Sequence, residues 1–256
     1  MSLKKNLLSA ARMMNFLFSE QGWKTLYAKA DFQVLEKLPA KNILVIAPHP
    51  DDEIFSCSGI LSGVDKAQKV VIAYIFSGDK KSRSENAKER EEESKSAVRL
   101  LTNPEQIFFR QPDGSAVSKS TISELAKTIK ELGDCAICTP TFSSPNADHR
   151  EAVRAVVSAL KIAKVEGAKI KNTEIWLYGI WRSLSNFNRI LEIDWPQKEK
   201  LIKIFVSQHK ERNYLKAIKS LNNYYGEIYG LKKPAEAFFA LPAELLISLF
   251  EKEQND

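Results

Sequence analysis

Residues 42–59, NILVIAPHPDDEIFSCSG, decide how this chain folds. The first part, Ile43-Leu44-Val45-Ile46-Ala47, is an unbroken apolar run rich in β-branched side chains. A run this short and this apolar reads as a strand buried on both faces, as in a parallel sheet. Pro48 and Pro50 end it, because neither offers an N–H to a ladder and each fixes its own φ. His49 stands between them, and Asp51, Asp52 and Glu53 open a segment expected to be helical. In open α/β sheets ligands gather beyond the carboxyl ends of the strands. A histidine and neighbouring carboxylates are thereby delivered to the edge where chemistry takes place.

Working outward, apolar runs and helical patterns alternate. A helix is expected over 53–66 and a buried strand over 69–76, KVVIAYIF, ending at Ser77-Gly78-Asp79. The charged stretch 80–101 is patterned as a helix, with Ala87, Arg90, Ser94, Ala97 and Leu101 near one face. A short strand over 106–109, a turn at Gln111-Pro112-Asp113-Gly114, a helix over 120–132 and a strand over 134–139 follow. A further helix is expected over 151–164 and an aromatic-rich strand over 173–181. From 197 the chain reads as mainly helical to 220, and a last apolar stretch spans 235–250. Alternation of this kind is the signature of a parallel sheet covered on both faces. No internal repeat or second-domain signal interrupts it.

With 256 residues the chain can bury a full core, and 44% hydrophobic with 27% charged residues fits a soluble globular domain. The net charge of +6 would suit an anionic sugar, a nucleotide sugar, a lipid headgroup or a membrane surface, and chooses none of them. Nucleic acid is not expected, because no aromatic-basic interleaving or reader motif is present. Cys57, Cys135 and Cys138 do not form a disulfide framework. The C-x-x-C lies in CAICTP, which reads as a strand, so its thiols face opposite sides and are expected to be buried and inert. Residues 1–40 are expected to be an N-terminal helical extension, since Leu3, Leu7, Leu8, Ala11 and Met14 fall near helical spacing. That helix either packs on the core or touches a membrane surface peripherally. Arg12 breaks the apolar stretch, no run reaches the ~20 residues of a membrane span, and no clean signal-peptide pattern appears. A cytoplasmic location is the expectation.

The chain has three histidines, and two keep telling company. His49 belongs to PHPDDE; His149 belongs to SPNADHRE, after the strand ending at Thr139-Pro140 and before a helix. Both sit at the carboxyl edge of expected parallel strands. Two imidazoles and a carboxylate match the N/O preference of Zn²⁺, and three protein ligands leave one position open, as in catalytic sites. His49 and Asp52, at i,i+3, can converge on one ion, while Asp51 projects differently and can serve as general base. Asp148 can orient a neighbouring group. His209, in SQHKERNY, lacks such company and reads as a surface or core histidine.

These residues resemble the PIG-L/LmbE-like zinc-dependent N-deacetylases. The resemblance is carried by Pro48-His49-Pro50-Asp51-Asp52-Glu53 and by Asp148-His149-Arg150. It extends to Ser56-Cys57-Ser58-Gly59, Ser77-Gly78, the R-x-x-E of Arg90 and Glu93, Asp113-Gly114, and Ala235-Glu236-Ala237-Phe238. It implies a Rossmann-like three-layer α/β/α sandwich over 41–256 that removes an acetyl group from an N-acetylglucosamine-type sugar. It implies Zn²⁺, or another divalent transition metal, held by His49, Asp52 and His149, with Asp51 as the base. It also implies that Arg90 and Asp113 hold the sugar, although a solvated helix charge and a turn former would look the same.

One position departs from the family's H-x-D-H pattern, whose first histidine supports the oxyanion. Here it is Asn146, which can donate a hydrogen bond to an oxyanion but cannot carry a proton. Two other readings therefore stay open: a catalytically weakened metal- and glycan-binding member, and a deacetylase of a non-sugar amide. Trp176, Tyr178, Trp181 and Trp195 read as core first and as sugar-stacking residues second.

Overall fold

The structure, a computed structural model, describes residues 32–79, 87–102, 104–184, 186–209 and 212–255. The first elements are β1 (Gln33–Leu35), β2 (Asn42–Ala47), α1 (Asp52–Ser62), β3 (Lys69–Phe76), α2 (Ala87–Val98) and β4 (Glu105–Gln111). The middle of the chain supplies α3 (Lys119–Leu132), β5 (Ala136–Pro140), α4 (Ala147–Val165) and β6 (Glu174–Tyr178). The last third supplies β7 (Arg189–Glu192), α5 (Trp195–Ile202), α6 (Val206–His209), α7 (Tyr214–Ile228), β8 (Ala235–Pro242) and α8 (Ala243–Asn255).

All strands join one sheet in the order β1-β7-β8-β6-β5-β2-β3-β4. Pairing is parallel throughout, except that β8 runs antiparallel to β6 and β7. The period of two along β2 divides the core. Leu44 and Ile46 face a cluster with Leu125 and Ile129 of α3, Val153 and Val156 of α4, and Leu246 of α8. Ile43, Val45 and Ala47 face the opposite cluster, with Ile54 and Cys57 of α1, Val98 of α2, Leu201 of α5 and Ile218 of α7. Helices thus cover both faces of a mostly parallel sheet in a single α/β domain.

The topology explains the site. From β2 the chain proceeds to β3 and β4 on one side, then returns to place β5 and β6 on the other. β2 and β5 are hydrogen-bonded neighbours, with Val45 opposite Cys138, and their carboxyl ends diverge into separate loops. Such a switch point leaves a crevice at the sheet edge. PHPDDE leaves β2 there and SPNADH leaves β5 there, which is how segments so far apart in sequence meet.

Several expectations shift. α4 begins at Ala147 rather than 151, because the side chain of Asn146 accepts the Asp148 N–H at 3.0 Å and caps the helix. His149 therefore stands in the first turn of a helix. The expected helical stretch 197–220 is helical, broken into α5, α6 and the start of α7, while the strand β7 at 189–192 is unexpected and the apolar run 235–250 divides into β8 and α8. The expected N-terminal helix and the stretch 80–86 lie outside the described residues, and so does the membrane contact assigned to that helix. The end of the 1–40 extension is not helical: Gln33–Leu35 pairs with β7, and Gln33 N donates to Asn188 O at 2.9 Å. An extended segment there completes the outer edge of β7. Cys57, Cys135 and Cys138 are free and buried, with Cys135 and Cys138 in opposite core clusters. Among the described residues no helix is long and apolar enough to cross a membrane.

Candidate active site

The turn after β2 is built around its own acids. Asp52 accepts the His49 N–H through Oδ2 at 3.0 Å, and its own N–H returns to the His49 carbonyl at 3.2 Å. This closed turn brings side chains 49 and 52 together. Asp51, between them, adopts φ 137°. A non-glycine residue in that region is strained, and such strain persists only where the surroundings hold it. They do: Glu53 accepts the Asp51 N–H at 2.8 Å, and Arg90 of α2 donates to Asp51 Oδ2 at 2.8 Å and to the Pro50 carbonyl at 3.2 Å. Glu53 in turn is held by Ser94 Oγ at 2.7 Å and Tyr74 OH at 3.1 Å. Gly78 has φ 77°, and a Cβ on it would lie 2.5 Å from Arg90 Nη1, so only glycine fits beside that guanidinium.

Against this turn α4 sets His149. His149 Nε2 lies 3.3 Å from Asp52 Oδ2, and His49 Nδ1 lies 3.4 Å from the same oxygen. One ligand atom from each of His49, Asp52 and His149 falls within 4.8 Å of the others. Ligand bonds of about 2.0–2.1 Å around a tetrahedral ion put donors about 3.4 Å apart. His149 Nε2 is also among the buried atoms that no hydrogen bond satisfies. The three side chains therefore fit a divalent ion of nitrogen and oxygen preference, and zinc is one such ion.

The other ring nitrogen of His49 faces carboxylates. Nε2 donates to Asp148 Oδ2 at 3.1 Å, and Asp113 Oδ2 lies 3.8 Å away. A carboxylate on the far nitrogen of a ligating imidazole sets its tautomer and orientation. The group that Asp148 orients is thus His49, not its sequence neighbour His149. Asp148 Oδ1 accepts the Gly114 N–H at 2.9 Å, and Asp113 Oδ1 accepts the Gly78 N–H at 2.8 Å, which pins the D-G turn to the site.

Burial and charge move the proton affinities. Burial pulls the His49 pKa down, but hydrogen bonds to Asp148 and Asp52 outweigh it and bring it up to about 9. Burial would raise Asp52, yet both imidazoles hold it below the usual carboxylate range. Burial lifts Asp51 well above that range against the opposing pull of Arg90. A carboxylate with raised proton affinity suits a general base near neutrality.

The cleft over these residues encloses about 90 Å³ and is lined by His49, Asp51, Asp52, Gly78, Arg90, Asp113, Asn146, Trp181, Gln208 and Tyr214. The cap bond uses the oxygen of Asn146, so its NH₂ is the end left for the cleft. Arg90 is buried among protein acceptors rather than solvated on its helix face. His209 stands outside this lining, with Nε2 3.1 Å from the Ile202 carbonyl. Trp176, Tyr178 and Trp195 are core, as expected, whereas Trp181 is 37% exposed in the cleft wall.

Sequence reasoning missed Gln208 and Tyr214, which come from the last third and carry no motif. Their one signal is Glu93 of the R-x-x-E pair, which accepts Ser207 N–H at 2.8 Å and Ser207 Oγ at 2.6 Å and so ties α6 to the rim.

Residues 44–160 match the family model PIG-L, described as GlcNAc-PI de-N-acetylase. Over that segment the chain is similar to the PIG-L family. Its fold is similar to that of the conserved protein TT1542 from Thermus thermophilus, at 25% identity and TM-score 0.67, covering 78% of this chain and 94% of that one. The N,N'-diacetylchitobiose deacetylase from Pyrococcus horikoshii aligns at 20% identity and TM-score 0.67, over 95% of this chain and 94% of that one. GalB, the 4-carboxy-2-hydroxymuconate hydratase from Pseudomonas putida KT2440, aligns at 15% identity and TM-score 0.64, over 78% and 96%. The last two likenesses show the fold alone. No curated protein matches the chain in sequence. Seven of the ten cleft residues, His49 to Asn146, belong to the PIG-L match, and Trp181, Gln208 and Tyr214 lie beyond it.

Proposed function

We propose that this protein hydrolyses the N-acetyl group of an N-acetylglucosamine-type sugar, in a glycoconjugate or its precursor, with a divalent ion, zinc first, held by His49, Asp52 and His149. The observation that carries this reading is the set of three donors within 4.8 Å of one another beside the strained Asp51. The PIG-L match supports the amide chemistry, and the chitobiose deacetylase supports a sugar as the carrier of the amide. A bound divalent ion supplies Lewis-acid polarisation of the carbonyl and lowers the pKa of water to about 7.

The chain's own residues do the rest. Asp51 takes the proton of the attacking water and returns it to the leaving amine, with its carboxyl aimed by Arg90. The NH₂ of Asn146 donates to the oxygen on which charge develops. Asp148 keeps His49 in orientation. Asp113, whose Oδ2 is buried without a hydrogen bond, accepts from a sugar hydroxyl, and Arg90 closes the same side.

Incubation of the zinc-loaded protein with free, nucleotide-linked, lipid-linked and oligomeric N-acetylglucosamine, followed by assay of free amine, tests the reading. Release from at least one, abolished in Asp51→Asn, is expected. No release from any of them contradicts it. Asn146 favours a second reading, a metal- and glycan-binding member with little turnover. In that case Asn146→His creates activity where the parent has none, instead of adjusting an existing rate.

A further inference from the structure

The acids of the cleft come from the part of the chain that matches PIG-L, whereas Trp181, Gln208 and Tyr214 lie beyond that match. Two of these three are aromatic. Trp181 follows β6 on a tight turn: a Cβ on Gly179 would lie 2.5 Å from the Arg182 carbonyl oxygen, so glycine is required for the turn to close. The indole packs against Tyr214 with ring centroids 5.3 Å apart at 70°. Tyr214 packs against Phe55 at 5.7 Å. Phe55 belongs to α1, three residues after Asp52. A continuous stack of rings thus fixes Trp181 relative to the donors at the start of α1. Tyr214 is only 8% exposed, while Trp181 at 37% keeps part of its ring system open to the cleft.

The enclosed volume of about 90 Å³ is far below the roughly 300 Å³ at which pockets begin to take whole small molecules. It holds an acetamido group and an edge of its carrier, and the rest of the substrate lies along the rim. Beside it Asp113 offers an acceptor for a hydroxyl and Trp181 offers an apolar face. A hexopyranose with equatorial substituents has this duality, with hydroxyls around its edge and C–H groups on its face. Large, rigid aromatic side chains provide such contact area at little conformational cost.

We propose that Trp181 is the specificity-determining platform of this cleft: its indole takes the apolar face of a hexosamine ring whose acetamido group points towards His49, Asp51 and Asp52. This rests on the deacetylase reading and adds what selects a sugar over an acyclic amide.

The test uses the zinc-loaded full chain with methyl N-acetylglucosaminide as the ring probe and N-acetylethanolamine as the ringless one. Trp181→Ala is expected to raise KM for the ring probe about tenfold with kcat moving less than about threefold, the mark of lost ground-state contact. The preference for the ring probe over the ringless one collapses with it, and Trp181→Phe restores most of the preference. Quenching of tryptophan emission by the ring probe is expected in the parent and absent in Trp181→Phe. Turnover with KM and preference unchanged in Trp181→Ala overturns the platform and leaves the deacetylase reading intact. Quenching through Trp181 without turnover supports the platform and removes the deacetylase reading. The absence of both quenching and turnover overturns the platform.

Discussion

His49 Nε2 donates to Asp148 Oδ2 at 3.1 Å, although the two residues are 99 positions apart. The bond crosses the switch point of the sheet and ties the loop after β2 to the first turn of α4. With Nε2 committed to Asp148, Nδ1 is the nitrogen presented beside Asp52. Asp148→Asn keeps the shape and removes the charge. It is expected to weaken zinc binding about ten- to a hundredfold, as carboxylate partners of metal-ligating histidines do. Competition against a chelator of known affinity measures this, and an unchanged affinity would show that Asp148 plays no part in holding the ion.

Asp51 and Arg90 form a buried pair at 2.8 Å, with side chains 5% and 9% exposed. Arg90→Met leaves the Asp51 carboxylate buried without its cation, a change that typically costs about 3–5 kcal/mol. A large fall in melting temperature is expected, together with loss of amine release. Asp51→Asn removes the proposed base while keeping the volume; amine release should drop by about 10²–10⁴ with zinc content retained. Paired measurements of metal content and turnover separate the two effects.

The pH behaviour follows from His49 and Glu53. In the metal-free protein the His49 pKa is raised from 6.5 to about 9, so the stability it contributes is present below pH 6.5 and is lost as pH rises through 9. Burial, opposed by the Ser94 hydrogen bond, raises Glu53 from 4.5 to about 7, which removes stability in the same direction between those values. Melting temperatures of the chelated protein should therefore decline from pH 5 to pH 9. Zinc requires the neutral imidazole, so its affinity should climb by up to about tenfold per pH unit up to pH 9, with about one proton released per ion near neutrality. Calorimetric titration in two buffers of different ionisation enthalpy counts that proton.

Away from the cleft, Lys198 Nζ lies 2.6 Å from Glu236 Oε1, with side chains 1% and 2% exposed. Lys198 also donates to the Phe55 carbonyl at 2.9 Å, and Glu236 accepts from Ser58 Oγ at 3.1 Å and Gly59 N at 3.0 Å. The pair fastens α5 and β8 to α1, the helix that carries Asp52. Glu236→Ala should cost about 3–5 kcal/mol, and Lys198→Met with Glu236→Leu together should cost less than the single change. Chemical denaturation of the three proteins gives the comparison.

The strongest local patterns were legible. The apolar runs of β2 and β3 needed no tertiary help, and the prolines that end β2 marked where side chains leave the sheet. A candidate metal-ligand set could be proposed because His49 and His149 each follow an apolar run that reads as a strand and because their motifs resemble a known family's, and the structure brings His49, Asp52 and His149 together. Other features depend on contacts that sequence does not display. The start of α4 turns on one side-chain bond from Asn146. β7 forms because β1 and β8 flank it on either side, and its four residues hold too little pattern to announce a strand. Arg90 looks like any helix charge until Gly78 and Asp51 close around it. The wall made by Trp181, Gln208 and Tyr214 is assembled from segments without a shared motif.

The most direct test of the central claim follows acetate release from an N-acetylglucosamine conjugate while zinc is added stepwise to the metal-free protein. Two loops at the switch point holding one ion predict a rate that climbs linearly to one equivalent and then stays level. Hydrolysis at full rate without zinc, or none at any ratio for every conjugate tried, would contradict it.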